Sequence, residues 1–435
     1  MRKILKSTLL ATSVLVAGAF AVPAFAQDVL HVPNLSYRTG PFATSGTPLA
    51  NGQLDYLNML NERDGGINGV KLDGTECETG YNTEKGVECY EKTKGNAVLT
   101  QPWSTGITLQ VLPKSHVDKI PILAPGYGFS AMQDGKTFEW AYNPPSSYWD
   151  GASILLNTIA DGNLDNLKGK KVALLHLDHP YGKEPIPLME QLAAKHGFTL
   201  LPIPVGLKEM QNQSAQWLQI RREKPDFVLM WGWGAMNGGA LTEAAKTKYP
   251  MNQFLGIWWA SHDADLKLVG EAGKGYRAVS WSFPNNEAQA MKDIKKLVID
   301  AGKSQAAPGE FDTVFYQRGV LIAAMGVEGI KVAQDKFGTK VVNAEQVRWG
   351  LENLDFSEAR IKELGLDGMI PPFKTNCANH TGHAGAWILE WDGSKFVKAS
   401  DVMQADRAAI DPLVEVKAKE YAEANKPWPI STECK

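Results

Sequence analysis

Between residues 171 and 258 the sequence switches repeatedly between two periodicities, and that alternation limits the fold more than any other feature. Lys171–Leu177 (KVALLHL) reads as a buried strand, and 183–196 as a helix ended by Gly197. Strands at 198–205, 226–231 and 253–258 then alternate with helices at Ser214–Glu223 and 240–248. Strands separated by helices need crossover connections, which are right-handed and lay the strands parallel. An earlier run has the same form. A strand at 29–35 leads into a Gly- and Thr-rich loop, 36–45. A helix follows with Thr47 as expected cap, Pro48 at its first position and an apolar stripe of Leu54, Leu57 and Leu60, stopped by Gly65-Gly66. A strand at 70–77, a helix at 83–94 and short strands at 97–100 and 120–123 complete it. The expected class is α/β, with two doubly wound parallel-sheet lobes.

The last third is different. Residues 277–283 (RAVSWSF) are extended, and 311–337 reads as one long helix carrying Tyr316, Val320, Ala323 and Val327. Shorter helices are expected at 344–351 and 356–364, a hairpin at 387–397, and a partly helical tail after Asp401. These late helices have no sheet of their own, so they are expected to return to the first lobe.

The first 26 residues give a compartment. A basic start (Arg2, Lys3, Lys6), an apolar run from Leu9 to Val22 and Ala24-Phe25-Ala26 form the three parts of a secretory signal, with cleavage expected after Ala26. The apolar run is too short to span a bilayer, for which ~20 residues are needed. Taking Arg2, Lys3 and Lys6 from the 45 Lys and Arg leaves 42 against 48 Asp and Glu, a net of −6. That balance favours neither nucleic acid nor an anionic membrane as partner, and no membrane insertion is expected. Four cysteines suit an oxidising compartment and allow three pairings. The favoured pairs are Cys77–Cys89, which pins a loop to the following helix, and Cys377–Cys434, which ties down the tail. No C-x-x-C pair supports zinc. His380 and His383 are separated by a glycine-containing loop sequence, so no metal is expected there either. G-x-S-x-G, H-E-x-x-H and G-x-x-x-x-G-K-[ST] are all missing from the sequence, and no cofactor is expected.

Several segments, in their order, carry a resemblance. They are Ser36–Gly40 with Pro41, the turn Asn61-Glu62-Arg63-Asp64-Gly65-Gly66-Ile67-Asn68-Gly69, Trp103-Ser104-Thr105-Gly106, Pro121–Gly126, and Tyr181-Gly182 after KVALLHLDHP. Together they resemble the periplasmic solute-binding proteins of ABC transporters, nearest to the branched-chain amino-acid type. The resemblance implies a type I periplasmic binding fold: a clamp of two lobes joined by three crossover strands. The lobes would be 27–146 with 282–370, and 147–281 with 371–435. It also implies a small-molecule ligand, an inner-membrane ABC permease as partner, a periplasmic location, a monomer, and no enzymatic activity.

Ligands of open α/β sheets bind beyond the carboxyl ends of the strands. In the first lobe those ends are Trp103, Ser104 and Thr105, then Gly126, Tyr127 and Gly128. Ser104 and Thr105 begin a helix, where hydroxyls and free N–H groups suit a carboxylate, and where Ser104 equally serves as a cap. In the second lobe they are Tyr181, then Trp231 and Trp233, then Trp258 and Trp259. In the resembled family the position of Tyr181 stacks on ligand, and the position of Trp258 is an acid that pairs with the ligand's ammonium. Tryptophan there offers apolar area and a π face instead. The expected ligand is therefore an apolar or aromatic solute with one anionic or polar end, about half of the five tryptophans touching it. A hydrophobic amino acid is the alternative, its ammonium held by Asp263, Asp312 or a ring face. Phe311, at the start of the long helix, and Trp281, at the last crossover, are further candidates for the cleft.

Overall fold

The structure, a computed structural model, describes residues 28–432. The expected signal segment and Cys434 lie outside them. The second run of strands builds a seven-stranded sheet. Its spatial order is Phe396–Lys398, Trp387–Trp391, Arg277–Ser280, Phe254–Gly256, Phe227–Trp231, Lys171–Leu177, Thr199–Val205. The last five are mutually parallel, as βαβ crossovers require. The hairpin joins the edge antiparallel, Val279 opposite Ile388 and Trp391 opposite Phe396. Lys171–Leu177 is buried almost throughout, as a central parallel strand covered on both faces must be.

The first sheet is assembled from shorter pieces. Val29–His31 pairs with Lys71–Asp73, Asn34–Leu35 with Gln101–Pro102, and Ile122–Leu123 with Ala141–Tyr142, all parallel. Isolated bridges at His31–Ala97, Asn34–Glu76 and Thr100–Ile122 stitch these pairs together. Pro33, Pro102 and Pro121 supply no N–H to the ladder, which accounts for the breaks. The expected strands at 70–77, 97–100 and 120–123 thus shorten to bridges and two- or three-residue strands.

Ala43–Arg63 and Val314–Phe337 pack side by side beneath this first sheet. Their backbones come close at glycine: a Cβ on Gly52 would lie 1.9 Å from the Tyr316 carbonyl oxygen, and one on Gly319 2.1 Å from that of Leu49. The late helix does return to the first sheet, as expected from its lack of a sheet of its own. Several boundaries differ from expectation. The first helix starts at Ala43, so Thr47 caps nothing and Pro48 lies inside it. Packing decides this start, since Phe42 lies 4.3 Å from Tyr81 between ring centroids. The long helix begins at Val314, where Thr313 accepts the Tyr316 N–H. The helix expected at 240–248 begins at Ala235, directly behind Trp233-Gly234. The helix expected at 183–196 begins at Ile186, after Pro185, and a separate short helix, Pro180–Lys183, precedes it. Phe356 pairs in a strand with Phe373 instead of opening a helix.

The chain passes between the two sheets through 142–148, 280–289 and 374–387. The tail helix Arg407–Ala424 packs on Ser130–Gln133 and on Ile186–His196. Beyond it Trp428 donates to the Thr137 carbonyl at 2.7 Å. Cys77 and Cys89 form a disulfide. Among the described residues no helix is long and apolar enough to cross a membrane.

Candidate functional site

The carboxyl ends of the two sheets face each other and meet. From the first sheet comes the turn Ala124-Pro125-Gly126-Tyr127-Gly128, closed by the Tyr127 N–H on the Ala124 carbonyl at 2.9 Å. Gly126 has φ +71°, and a Cβ there would lie 2.9 Å from Trp281 Nε1 and 3.1 Å from Trp258 Nε1. Only glycine fits both the conformation and the space. Its carbonyl accepts two indole N–H groups from the second sheet, Trp258 at 3.0 Å and Trp259 at 2.8 Å. One backbone oxygen thereby ties the walls together. A second tie runs from the Ala235 N–H to the Pro41 carbonyl at 3.0 Å, and a third from the Ser130 N–H to Glu184 Oε1 at 2.6 Å.

Around Gly126 the aromatic side chains form one continuous network. Tyr127 lies 4.2 Å from Trp259 between ring centroids, and its hydroxyl is 2.9 Å from that of Tyr37. Tyr148, the first residue of its helix, stacks on Trp258 at 5.4 Å and 11°, and lies 5.3 Å from Tyr181. Trp233 touches Trp259 at 4.9 Å, Phe315 at 5.5 Å and Tyr37 at 6.1 Å. Tyr181 is presented by the short helix whose cap, His179, accepts the Tyr181 N–H, and the Tyr181 hydroxyl donates to the Gly232 carbonyl at 2.9 Å. Such ring pairs contribute about 0.5–1.5 kcal/mol each beyond the area they bury.

The network is electrically simple. Burial raises the phenols of Tyr37, Tyr127, Tyr148 and Tyr181 well above their ordinary range, so they are neutral. Burial also pushes His179 down to about 4 and His262 down to about 3, leaving both imidazoles uncharged at neutral pH. Arg318 is the exception. Buried behind Trp259, Trp281 and Phe315, it is pushed down to about 9, chiefly by burial, and is still a cation.

Of the residues singled out in the sequence, Gly126, Tyr127, Tyr181, Trp233 and Trp258 meet in this network, and Trp231 reaches it through Tyr148 at 6.4 Å. Trp103 is fully buried at the end of its strand. Ser104 is the cap of helix Thr105–Asp118, its Oγ accepting the Ile107 N–H at 3.5 Å. Gly128 faces the Met132 sulfur instead of the rings. Phe311 is half-buried on Tyr316, outside the network. Asp263 accepts the Val314 N–H at 2.8 Å, and Asp312 accepts from Asn286 at 2.7 Å. Neither carboxylate is hydrogen-bonded to a ring of the network. His380 lies apart, stacked 4.0 Å from Tyr142 with Nδ1 on the Ala141 carbonyl.

Sequence reasoning passed over Tyr37, Tyr148, Phe315 and Arg318. Tyr37 sits inside the Ser36–Gly40 loop already noted, and Tyr148 follows the Pro144-Pro145 pair at a crossover. Arg318 had the plainest signal: a lone cation in a helix buried from Val314 to Ile330.

No curated protein matches the chain. Among solved structures it is similar to one described as an ABC transporter permease from the Pseudomonas fluorescens group. The two are 37% identical, 94% of this chain and 100% of that one are covered, and the TM-score is 0.85. It is also similar in fold to a Thermus thermophilus branched-chain amino-acid ABC transporter with bound valine, 22% identical, covering 89% and 98%, TM-score 0.75. A Rhodopseudomonas palustris solute-binding protein in complex with benzoate is 18% identical, covering 87% and 97%, TM-score 0.68. The family model described as periplasmic binding protein matches residues 29–396, nearly the whole described chain, in agreement with two α/β sheets whose strand ends meet; the chain belongs to the periplasmic binding protein family.

Proposed function

We propose that this protein is the periplasmic substrate-binding component of an ABC importer. In this reading residues 1–26 export it and are removed after Ala26. The lobes are 27–146 with 282–370 and 147–281 with 371–435, and the cleft between them captures a small apolar or aromatic solute with an anionic or polar end. The observation that carries it is the ring network at the meeting strand ends, whose hydrogen bonds run to hydroxyls and carbonyls and to no carboxylate. A buried ammonium needs a counter-charge, and an uncompensated one is expensive. Neither Asp263 nor Asp312 is hydrogen-bonded to a ring of the network: they accept from the Val314 N–H and from Asn286. A ring or alkyl body needs only faces to lie against.

The solute takes over contacts that the walls make with each other, competing for the Trp258 and Trp259 N–H groups and lying against Trp233, Tyr127 and Tyr148. Closure is then a population shift driven by better contacts in the closed state. The closed form is what a membrane permease receives, and no chemical step is assigned to the chain. The benzoate-bound and valine-bound neighbours show that this fold accommodates both kinds of ligand.

A thermal-shift screen of the mature protein tests the reading, with aromatic acids, fatty acids, amides and amino acids in the panel. Binding to the native state raises the midpoint by mass action. Stabilisation by aromatic or aliphatic acids is expected. Stabilisation by leucine or valine alone contradicts the solute class while leaving the transport role in place.

A further inference from the structure

Arg318 stands in the second turn of helix Val314–Phe337 and is fully buried. All the partners that its donors meet are neutral. Nε donates to Ser282 Oγ at 2.8 Å, Nη1 to the Trp258 carbonyl at 2.6 Å, and Nη2 to Ser280 Oγ at 3.0 Å and Ser261 Oγ at 3.2 Å. Its guanidinium carbon lies 5.0 Å from the Phe315 ring centroid, 5.1 Å from that of Trp259 and 5.3 Å from that of Trp281. Asp263 is the carboxylate that acts on it most strongly, but it makes no hydrogen bond to the guanidinium and accepts the Val314 N–H. A buried cation without a partner is costly, and natural proteins seldom keep one without use for it.

The surroundings repeat the imbalance. The indole N–H of Trp281, whose ring lies against Arg318, is buried with no acceptor, as is that of Trp231, which reaches the network through Tyr148. The Trp258 and Trp259 N–H groups already share one acceptor, the Gly126 carbonyl. The Trp258 carbonyl likewise receives both Arg318 and the Ser261 hydroxyl. Arginine and indole can only donate, so this corner carries an unmatched indole donor and a positive charge among neutral partners. A solute bringing acceptors and one negative charge balances both.

We propose that Arg318 is the specificity-determining residue of the cleft, selecting a monoanionic solute whose carboxylate-type end is drawn by the guanidinium and the free indole N–H groups. The inference rests on the reading of an apolar or aromatic solute and adds the sign of its polar end. Arg318 is set behind the rings, so it acts by its field and by orienting Trp258 and Trp281.

Calorimetric titration with matched pairs isolates the charge: benzoate and benzamide, phenylacetate and phenylacetamide, octanoate and octanamide, all at neutral pH. Hydrogen bonds to a charged group are stronger than those to a neutral one, so an acid is expected to bind about tenfold or more tighter than its amide. In Arg318→Gln acid affinity is expected to fall at least several-fold more than amide affinity, so that the preference shrinks. A purely structural role would weaken acid and amide alike and leave their ratio unchanged, which overturns the proposal. Equal binding of acid and amide by the unsubstituted protein overturns it too, with the solute-class reading intact. Binding of amino acids only, or of no member of any pair, overturns both together. If Arg318→Gln does not fold, the unsubstituted protein's ratio still decides. Trp281→Phe then gives the second measurement: acid affinity is expected to fall several-fold more than amide affinity, and an equal fall counts against the proposal.

Discussion

The two sheet ends that meet at Gly126 are made of different materials. The first-lobe wall is backbone and hydroxyl: the Gly126 carbonyl, the Tyr37–Tyr127 hydroxyl pair and the Ser104 cap, presented by a sheet of two- and three-residue strands broken at prolines. The second-lobe wall is indole: Trp231, Trp233, Trp258 and Trp259, presented by a continuous seven-stranded sheet, with Arg318 behind them. A broken ladder leaves turns that expose carbonyl oxygens. A continuous ladder uses its backbone internally and can present only side chains. Around Gly126 one wall therefore mostly accepts and the other mostly donates, and that complementarity explains why one carbonyl oxygen takes two indole N–H groups.

The largest effect is expected on the indole wall. Trp233→Ala removes a fully buried ring that touches both walls. It should lower unfolding stability by about 3–5 kcal/mol and abolish the ligand-induced thermal shift, both read by denaturant titration and thermal melts. A retained shift would reduce Trp233 to core packing. On the backbone wall, Gly126→Ala places a Cβ against Trp281 and Trp258 at positive φ. The left-handed conformation costs about 1–2 kcal/mol and the overpacking about 1–3 kcal/mol. Ligand affinity should therefore drop far more than in Gly128→Ala, whose neighbour is the flexible Met132 side chain. Equal losses in the two variants would dissolve the special role of the Gly126 carbonyl.

The parts of this arrangement that were legible from sequence follow the same division. Strand Lys171–Leu177 and the Trp-bearing strand ends stand out because a buried parallel strand is a continuous apolar run. The first sheet was harder to place, since Asn34, Gln101 and Pro102 look like loop residues and are held as strand only by their neighbours. Thr47-Pro48 imitates a helix start, yet packing of Phe42 on Tyr81 moves the start to Ala43. Phe311 is expected in the cleft as the start of the long helix, but Thr313 caps that helix at Val314 and Phe311 stays outside the network. Trp258 and Trp233 were found by position at strand ends. Arg318 was not, because it comes from a helix that no strand-end rule reaches.

Two smaller effects refine the contrast. Asp265, behind the indole wall and bonded to Asn237 at 3.1 Å, is pushed up to about 7, chiefly by burial. The folded protein therefore holds a proton that the unfolded chain has released, and stability falls as pH rises from about 4 through about 7. Asp265→Asn should remove that slope, so the stability difference between variant and unsubstituted protein grows across this window in urea titrations; a constant difference would show that Asp265 titrates normally. On the hydroxyl wall, Tyr37→Phe removes the bond to Tyr127 and should cost only about 0.5–1.5 kcal/mol. Its melting midpoint should shift slightly with the solute preference unchanged, and a changed preference would place that hydroxyl on the ligand.

The most direct test is a crystal structure of the mature protein with the tightest-binding acid of the panel. Its apolar body is expected between Tyr127 and Tyr148 on one side and Trp233 and Trp258 on the other. The carboxylate should lie on the Arg318 side, within hydrogen-bond reach of the Trp281 N–H. A ligand bound away from these rings, or one whose charged end points away from Arg318, would contradict it.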